Sequence, residues 1–216
     1  MHSVQRIIEN NRRWAAAATA ADPQSFAAMA EGQQPTFLYI GCADSRVPAE
    51  LITGLGPGEM FVHRNIANVA LPSDLSAMSV LHYAVEVLDV QHVLVTGHYG
   101  CGGVKAAMGT HSYGLVDHWL GPIRNVARFH RAELDAIPVE QARFDRLVEL
   151  NVLEQIYHLS ETPVIQQAWG RGRRPMLHGL VYNIREGLLR EIATDVGSPE
   201  DVDRLGIERL AGPPPN

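Results

Sequence analysis

At 216 residues, with 46% hydrophobic and 19% charged side chains, the chain has the length and composition to bury a substantial core within one domain. Its formal charge of −6 argues against nucleic acid or an anionic membrane surface as a partner. No apolar run reaches the ~18–20 residues of a membrane-spanning helix, and the opening MHSVQRIIENNRRW has no export-signal core or cleavage site, so a cytoplasmic location is expected.

Val4, Ile7, Ile8 and Trp14 recur at helical spacing around an alanine run, predicting an amphipathic helix over 3–17 that acts as an arm on another subunit. In DPQSFAAMAEG, Asp22 is placed to cap a second helix, with Pro23 at its first position and Gly32 closing it, so the helical arm spans 1–32. PTFLYIGC (35–42) is a short β-rich run ending in polar chemistry, and EMFVHRNIAN (59–68) and QHVLVTGHYG (91–100) repeat that pattern. Between the last two, SDLSAMSVLHYAVEVLDV (73–90) reads as a helix capped by Ser73 or Asp74. From about 114 to 169 the chain is mostly helical, most clearly in DRLVELNVLEQIYHL (145–159), and RPMLHGLVYNI (174–184) is a fourth strand. The tail AGPPPN (211–216) is expected to fray. No repeat or linker divides the chain, which reads as a single domain over 1–216.

Strands alternating with helices predict an α/β fold, a mostly parallel central β-sheet flanked by helices, with an N-terminal helical arm. Ligands in such sheets bind beyond the carboxyl ends of the strands. Cys42 follows FLYIG, and His98 and Cys101 follow VLVTG, so two neighbouring strands would bring them to one site. Two buried thiols acting as small hydrophobes are the alternative. Two thiolates and an imidazole suit zinc, and three protein ligands leave the open fourth position of a catalytic site. Asp44 lies two residues after Cys42, with Arg46 two further on. A bidentate Arg46–Asp44 pair would hold the carboxylate off the metal, free to orient water.

CADSRVPAE together with GHYGCGGV, and the intervening GEMFVHRNIAN, resembles the β-class carbonic anhydrases. The likeness runs from about Ile7 to Leu189 and takes in ELNVLEQI and HGLVYNIREGLLRE. The resemblance implies an α/β enzyme that binds one zinc per subunit and interconverts carbon dioxide and bicarbonate through zinc-bound hydroxide. Its active sites would be built at the interface of a homodimer or a dimer of dimers. By the same likeness Cys42, His98 and Cys101 are the metal ligands, and Asp44 and Arg46 form the catalytic dyad. Gln33 would reach substrate from the neighbouring subunit, Phe61, Ile66 and Tyr83 would line an apolar pocket, and Gly102 would supply an N–H beside the metal. Two thiolates neutralise the dication, so activity should rise towards mildly alkaline pH. His63, His82 and His178 are the candidates for proton export.

A bacterial subgroup of that family carries an allosteric switch, in which the aspartate occupies the fourth zinc position and a noncatalytic bicarbonate site favours the closed state. Arg64 and Tyr182 match that site, Gly41 and Val47 are present, and Tyr39 stands where the subgroup has tryptophan. Three other readings stay open: a zinc hydrolase of carbon disulfide or carbonyl sulfide, a Cys–His thiol hydrolase, and a non-catalytic zinc-stabilised regulatory protein.

Overall fold

The computed structural model describes residues 4–172 and 174–206, so the 211–216 tail lies outside the described residues. The chain divides into two compact units, residues 1–34 and 35–216. In the first, α1 (Val4–Ala21) and α2 (Ser25–Ala30) are joined by an edge-to-face contact of Trp14 and Phe26, with ring centroids 5.5 Å apart. The alanine run sustains α1 by propensity, and the helix buries none of its residues. Asp22 does not cap α2 as expected. Its Oδ1 accepts from Gln24 N–H (2.9 Å) in a turn that precedes the helix.

The second unit is a five-stranded sheet in the order β2-β1-β3-β4-β5. β1 (Phe37–Cys42), β2 (Met60–Asn65), β3 (His92–His98) and β4 (Met176–Asn183) run parallel, as alternation with helices demands. β5 (Leu188–Val196) returns antiparallel along β4 and was not read from the sequence. Its exposed Arg190, Glu191 and Asp195 masked the pattern; charges on an edge strand discourage pairing with another chain.

One sheet face carries Leu38, Ile40, Val93, Val95, Leu177 and Val181 into the main core. α3 (Ala49–Thr53) follows β1. After β2 come a short 3-10 turn (Ile66–Asn68) and α4 (Leu75–His82), whose cap Asp74 accepts from Ser76 and Ala77 N–H. That helix widens into a π turn over Tyr83–Val87. Beyond β3 lie α5 (Gly102–Met108), α6 (Leu115–Trp119), α7 (Gly121–Phe129) and α8 (Arg131–Asp135). Then come the long α9 (Glu140–Ser160), α10 (Pro163–Gly170) and, after β5, α11 (Pro199–Asp203). Among the described residues no helix is long and apolar enough to cross a membrane.

α9 lies unusually close to the sheet, because glycine stands at both strand positions beneath it. A Cβ at Gly97 would come within 2.7 Å of Val152, and one at Gly179 within 2.9 Å. Val152 fills the groove the two glycines leave.

The opposite sheet face holds a smaller cluster of Tyr39, Ala49 and Met60, with Phe37, Leu55, Val62 and Leu94 half-buried around it. Here His92 and His178 form a ring-to-ring hydrogen bond, Nδ1 to Nε2, of 2.9 Å. Asp195 N–H donates to His178 Nδ1 (3.3 Å), which leaves the His178 proton on Nε2, donated to His92. Burial lowers both pKa values; Arg174 lowers His92 further, while Asp195 favours the charged form of each ring and Glu191 that of His178. The folded pair therefore binds protons less readily than the unfolded chain, so stability is complete above the ordinary histidine value of ~6.5 and falls as pH drops through it. Thermal midpoints taken from pH 7.5 to pH 5.5 should fall in the wild type and fall less in His92→Gln. Equal slopes would show that the pair has no part in acid sensitivity.

Candidate metal centre

β1 and β3 are parallel neighbours, and Cys42 and His98 are their last residues. The chain then turns at Gly100 (φ +75°), a left-handed conformation that suits glycine. That turn returns Cys101 to the N-cap of α5. Cys42, His98 and Cys101 are all buried, and their ligand atoms lie within 4.8 Å of one another.

The two Sγ atoms are 3.9 Å apart, and both cysteines are free. This is far beyond a disulfide bond of ~2.05 Å. It is close to the ~3.8 Å between two sulfurs ~2.3 Å from one tetrahedral ion. His98 Nδ1 faces Tyr99 O (3.2 Å), which places the proton there and leaves the Nε2 lone pair aimed at the thiols, buried and without a hydrogen-bond partner. The donor set and this orphaned nitrogen fit zinc.

The surroundings of Cys42 favour its thiolate. Its pKa is held well below the usual thiol value, first by the Cys101 thiol, then by His98 and by the N–H groups of Asp44 and Ala67, against the opposing effect of burial. Cys101 is shifted upward by the same bond and by burial, while Val104 and Gly103 N–H groups favour its thiolate.

Asp44 is gripped by Arg46 at both oxygens, Nε to Oδ1 at 2.9 Å and Nη2 to Oδ2 at 2.7 Å, with the Arg46 backbone N–H also on Oδ1 at 2.9 Å. These bonds, the side-chain pair foremost, hold the carboxyl well below the usual carboxylate range. Its Oδ2 is 3.7 Å from His98 Nε2, at the mouth of the ligand cluster. Arg64 clamps the same turn from β2, donating from Nε to Cys42 O (2.8 Å) and from Nη2 to Asp44 O (2.6 Å).

The remaining candidate residues are spread over several places in the fold. Phe61 and Tyr83 pack together with centroids 5.8 Å apart, and Ile66 leans on α5, where a Cβ at Gly103 would come within 2.8 Å of it. Gly102 opens α5 with clear space around it, and Gln33 is exposed in the first unit. Tyr39 folds over Gly41, its ring only 2.1 Å from where a Cβ would stand, so residue 41 has no room for a side chain. Val47 is fully buried at the start of the next turn. Burial pushes the Tyr39 pKa up to about 12, with the Arg64 charge and the Thr96 hydroxyl acting the other way. Both hydroxyls are buried, yet neither completes a hydrogen bond of good geometry. Tyr182 is separated from β1 by β3, and its hydroxyl faces Gly187 in the β4–β5 turn. Of the candidate proton carriers, His63 contacts Asn65 (3.2 Å) and His82 is exposed. His178 stands in register with Leu94, four positions before His98, and is bonded to His92.

Two groups at the centre were not read from the sequence. Ala67 N–H donates to Cys42 Sγ (3.4 Å) from a left-handed backbone (φ +62°), and Trp119 Nε1 donates to Ile66 O (2.8 Å). A backbone donor leaves no mark in residue type. The one available signal was Asn68, a residue type tolerant of the left-handed conformation it adopts here (φ +50°).

The sequence profile of the carbonic anhydrase family matches residues 37–189. A carbonic anhydrase of Emericella nidulans is 51% identical over 201 residues, covering 93% of this chain and 88% of that protein. Among solved structures, a Coccomyxa β-carbonic anhydrase in complex with acetazolamide superposes with a TM-score of 0.90 at 37% identity, covering 94% of this chain and 92% of that one. One of two tetrameric β-carbonic anhydrases from Sordaria macrospora does so with a TM-score of 0.83 at 39% identity, covering 87% and 95%. With sequence, fold and the Cys–His–Cys centre in agreement, the chain belongs to the β-class carbonic anhydrases.

Proposed function

We propose that this protein catalyses the reversible hydration of carbon dioxide to bicarbonate and a proton, with zinc held by Cys42, His98 and Cys101. The observation that carries the reading is the meeting of three buried ligand atoms with a carboxylate that Arg46 grips at both oxygens. Bound zinc supplies the Lewis acidity that makes water a nucleophile near neutral pH. Asp44, ionised throughout that range, accepts a hydrogen bond from the reacting water and fixes its direction. Arg46 keeps Asp44 in that role. Phe61, Ile66 and Tyr83 offer carbon dioxide an apolar wall, and Gly102 N–H and the Gln33 amide of a neighbouring subunit complete the pocket. The Sordaria relatives described as tetrameric support a self-associating enzyme, a dimer or dimer of dimers. We place it in the cytoplasm.

Stopped-flow hydration of carbon dioxide on protein of known zinc content tests this. Activity should scale with zinc and rise from neutral to mildly alkaline pH, since two thiolates offset the ion's charge. A zinc-loaded protein inactive with carbon dioxide but active with carbon disulfide or carbonyl sulfide would redirect the substrate assignment. Activity indifferent to zinc would favour a thiol hydrolase.

A finer reading is that bicarbonate inhibits by binding beside Arg64, Tyr39, Gly41 and Val47, with Tyr182, beyond β3, joining only after a rearrangement, and that Asp44 would then leave Arg46 for the fourth ligand position. The buried Tyr39 and Thr96 hydroxyls without completed hydrogen bonds, next to the Arg64 charge, favour it. In Arg64→Ala the bicarbonate concentration for half-inhibition should rise about tenfold, the equivalent of ~1.4 kcal/mol. Unchanged inhibition would rule the site out.

A further inference from the structure

The left-handed loop after β2 is held by a buried polar ladder on α9 for which the reaction described above has no use. Asn151 Nδ2 donates to Ala67 O (3.0 Å), and Gln155 Nε2 donates to Asn151 Oδ1 (3.1 Å). Gln155 Oε1 in turn accepts from Ala70 N–H (2.9 Å) and meets His158 Nδ1 (3.2 Å). Asn151 and Gln155 are 1% and 0% exposed. An apolar helix face would have served the core equally well, since buried amides stabilise only when every member is satisfied. Their hydrogen bonds go instead to one short segment, 67–70, at either end.

That segment is costly to maintain. Ala67 and Asn68 both adopt positive φ, a conformation that disfavours side chains. It is fixed from three directions. Asn65 brackets Val69, accepting from its N–H (2.8 Å) and donating to its C=O (2.6 Å). α5 presses from another side, where a Cβ at Gly103 would come within 3.0 Å of the Ala67 methyl. The ladder supplies the third restraint, and Gly97 and Gly179 let α9 approach near enough for Asn151 to reach. The outward result of all three is one vector: Ala67 N–H directed at Cys42 Sγ.

We infer that Asn151 and Gln155 are positioning residues of the metal centre, which hold the Ala67 N–H against the Cys42 thiolate. An N–H donor to a ligating sulfur fixes its direction and withdraws part of its charge, which sets how tightly and how symmetrically the metal is held. The inference rests on the zinc reading above and assigns no contact with substrate to either residue.

The test compares Asn151→Leu, which keeps the branched shape but removes both donor and acceptor, with the near-isosteric Asn151→Asp. Ile165→Val in α10 is the control, a buried change remote from the loop. Zinc affinity is measured by competition with a chelator, and the thiolate-to-metal charge-transfer band is recorded with cobalt in place of zinc. Both Asn151 variants should lose about 10- to 100-fold in zinc affinity and shift the band, whereas Ile165→Val lowers thermal stability and changes neither. Lowered stability with zinc affinity within twofold and an unmoved band would overturn the inference. In the wild-type protein loaded with a spin-active cadmium isotope, the Ala67 amide proton should couple to the metal through sulfur. An absent coupling overturns it without any variant. Failure of wild type and Ile165→Val alike to bind zinc would instead condemn the metal assignment, and the inference with it.

Discussion

Replacing Arg46 by alanine is expected to cut carbon dioxide hydration by about 100-fold or more at neutral pH while leaving zinc content intact. The loss does not come from protonation of Asp44. Without the guanidinium its pKa moves back towards the ordinary carboxylate value of ~3.9, so at pH 7 it remains ionised. What changes is position. Two of the three bonds on the carboxylate come from the Arg46 side chain, and its Oδ2 already lies 3.7 Å from His98 Nε2. Freed from Arg46, the carboxylate would no longer be held where it orients water, and would be attracted away from that role by zinc bound at Cys42, His98 and Cys101. Asp44→Asn should also be slow, because a neutral amide is a weaker acceptor for water and cannot be gripped by Arg46 at two oxygens, and Arg46→Ala/Asp44→Asn should be no slower than Asp44→Asn alone. Additive losses, or near-normal activity in Arg46→Ala, would show that Arg46 acts in some other way.

Cys101→Ser should weaken zinc binding by more than about 100-fold, beyond the loss typical of groups that touch only the ligands. Serine is shorter and harder, and its hydroxyl is not ionised at neutral pH, so the buried cluster loses a thiolate without replacement. The consequence extends to folding. A ligand that binds only the native chain adds stability in proportion to the logarithm of its concentration over Kd. Chelation should therefore lower the wild-type thermal midpoint and leave that of Cys101→Ser unmoved. A variant that keeps zinc through dialysis against chelator would remove Cys101 from the ligand set.

The legible part of this protein was local in sequence. FLYIGC and HVLVTGH declared themselves as strands by runs of apolar β-formers, and the ends of those runs located Cys42 and His98. CADSR placed a carboxylate and its guanidinium partner within one turn, and the structure joins them. What escaped was carried by backbone or by long-range packing. β5 escaped because its solvent-facing charges hide the alternation. The Ala67 donor depends on a dihedral angle, and the Asn151 ladder on two glycines far away in sequence. Asn151 and Gln155 sit inside the most recognisable helix of the chain, where the apolar periodicity drew attention from the two polar positions that share its buried face.

The close seat of α9 on the sheet also constrains how this chain can be engineered. Exchange of glycine for alanine is a common route to a more heat-resistant protein, because it trims the freedom of the unfolded chain by ~0.4–1 kcal/mol per site. Gly170, at the end of α10 with nothing within 4 Å of a new methyl, should give such a gain. At Gly97 and Gly179 the same exchange meets Val152 at 2.7 and 2.9 Å, and overpacking of that kind costs about 1–3 kcal/mol. The penalty would not stop at heat resistance. Lifting α9 away from the sheet also withdraws Asn151 from Ala67, so a thermostability screen at these two sites would double as a screen for metal retention.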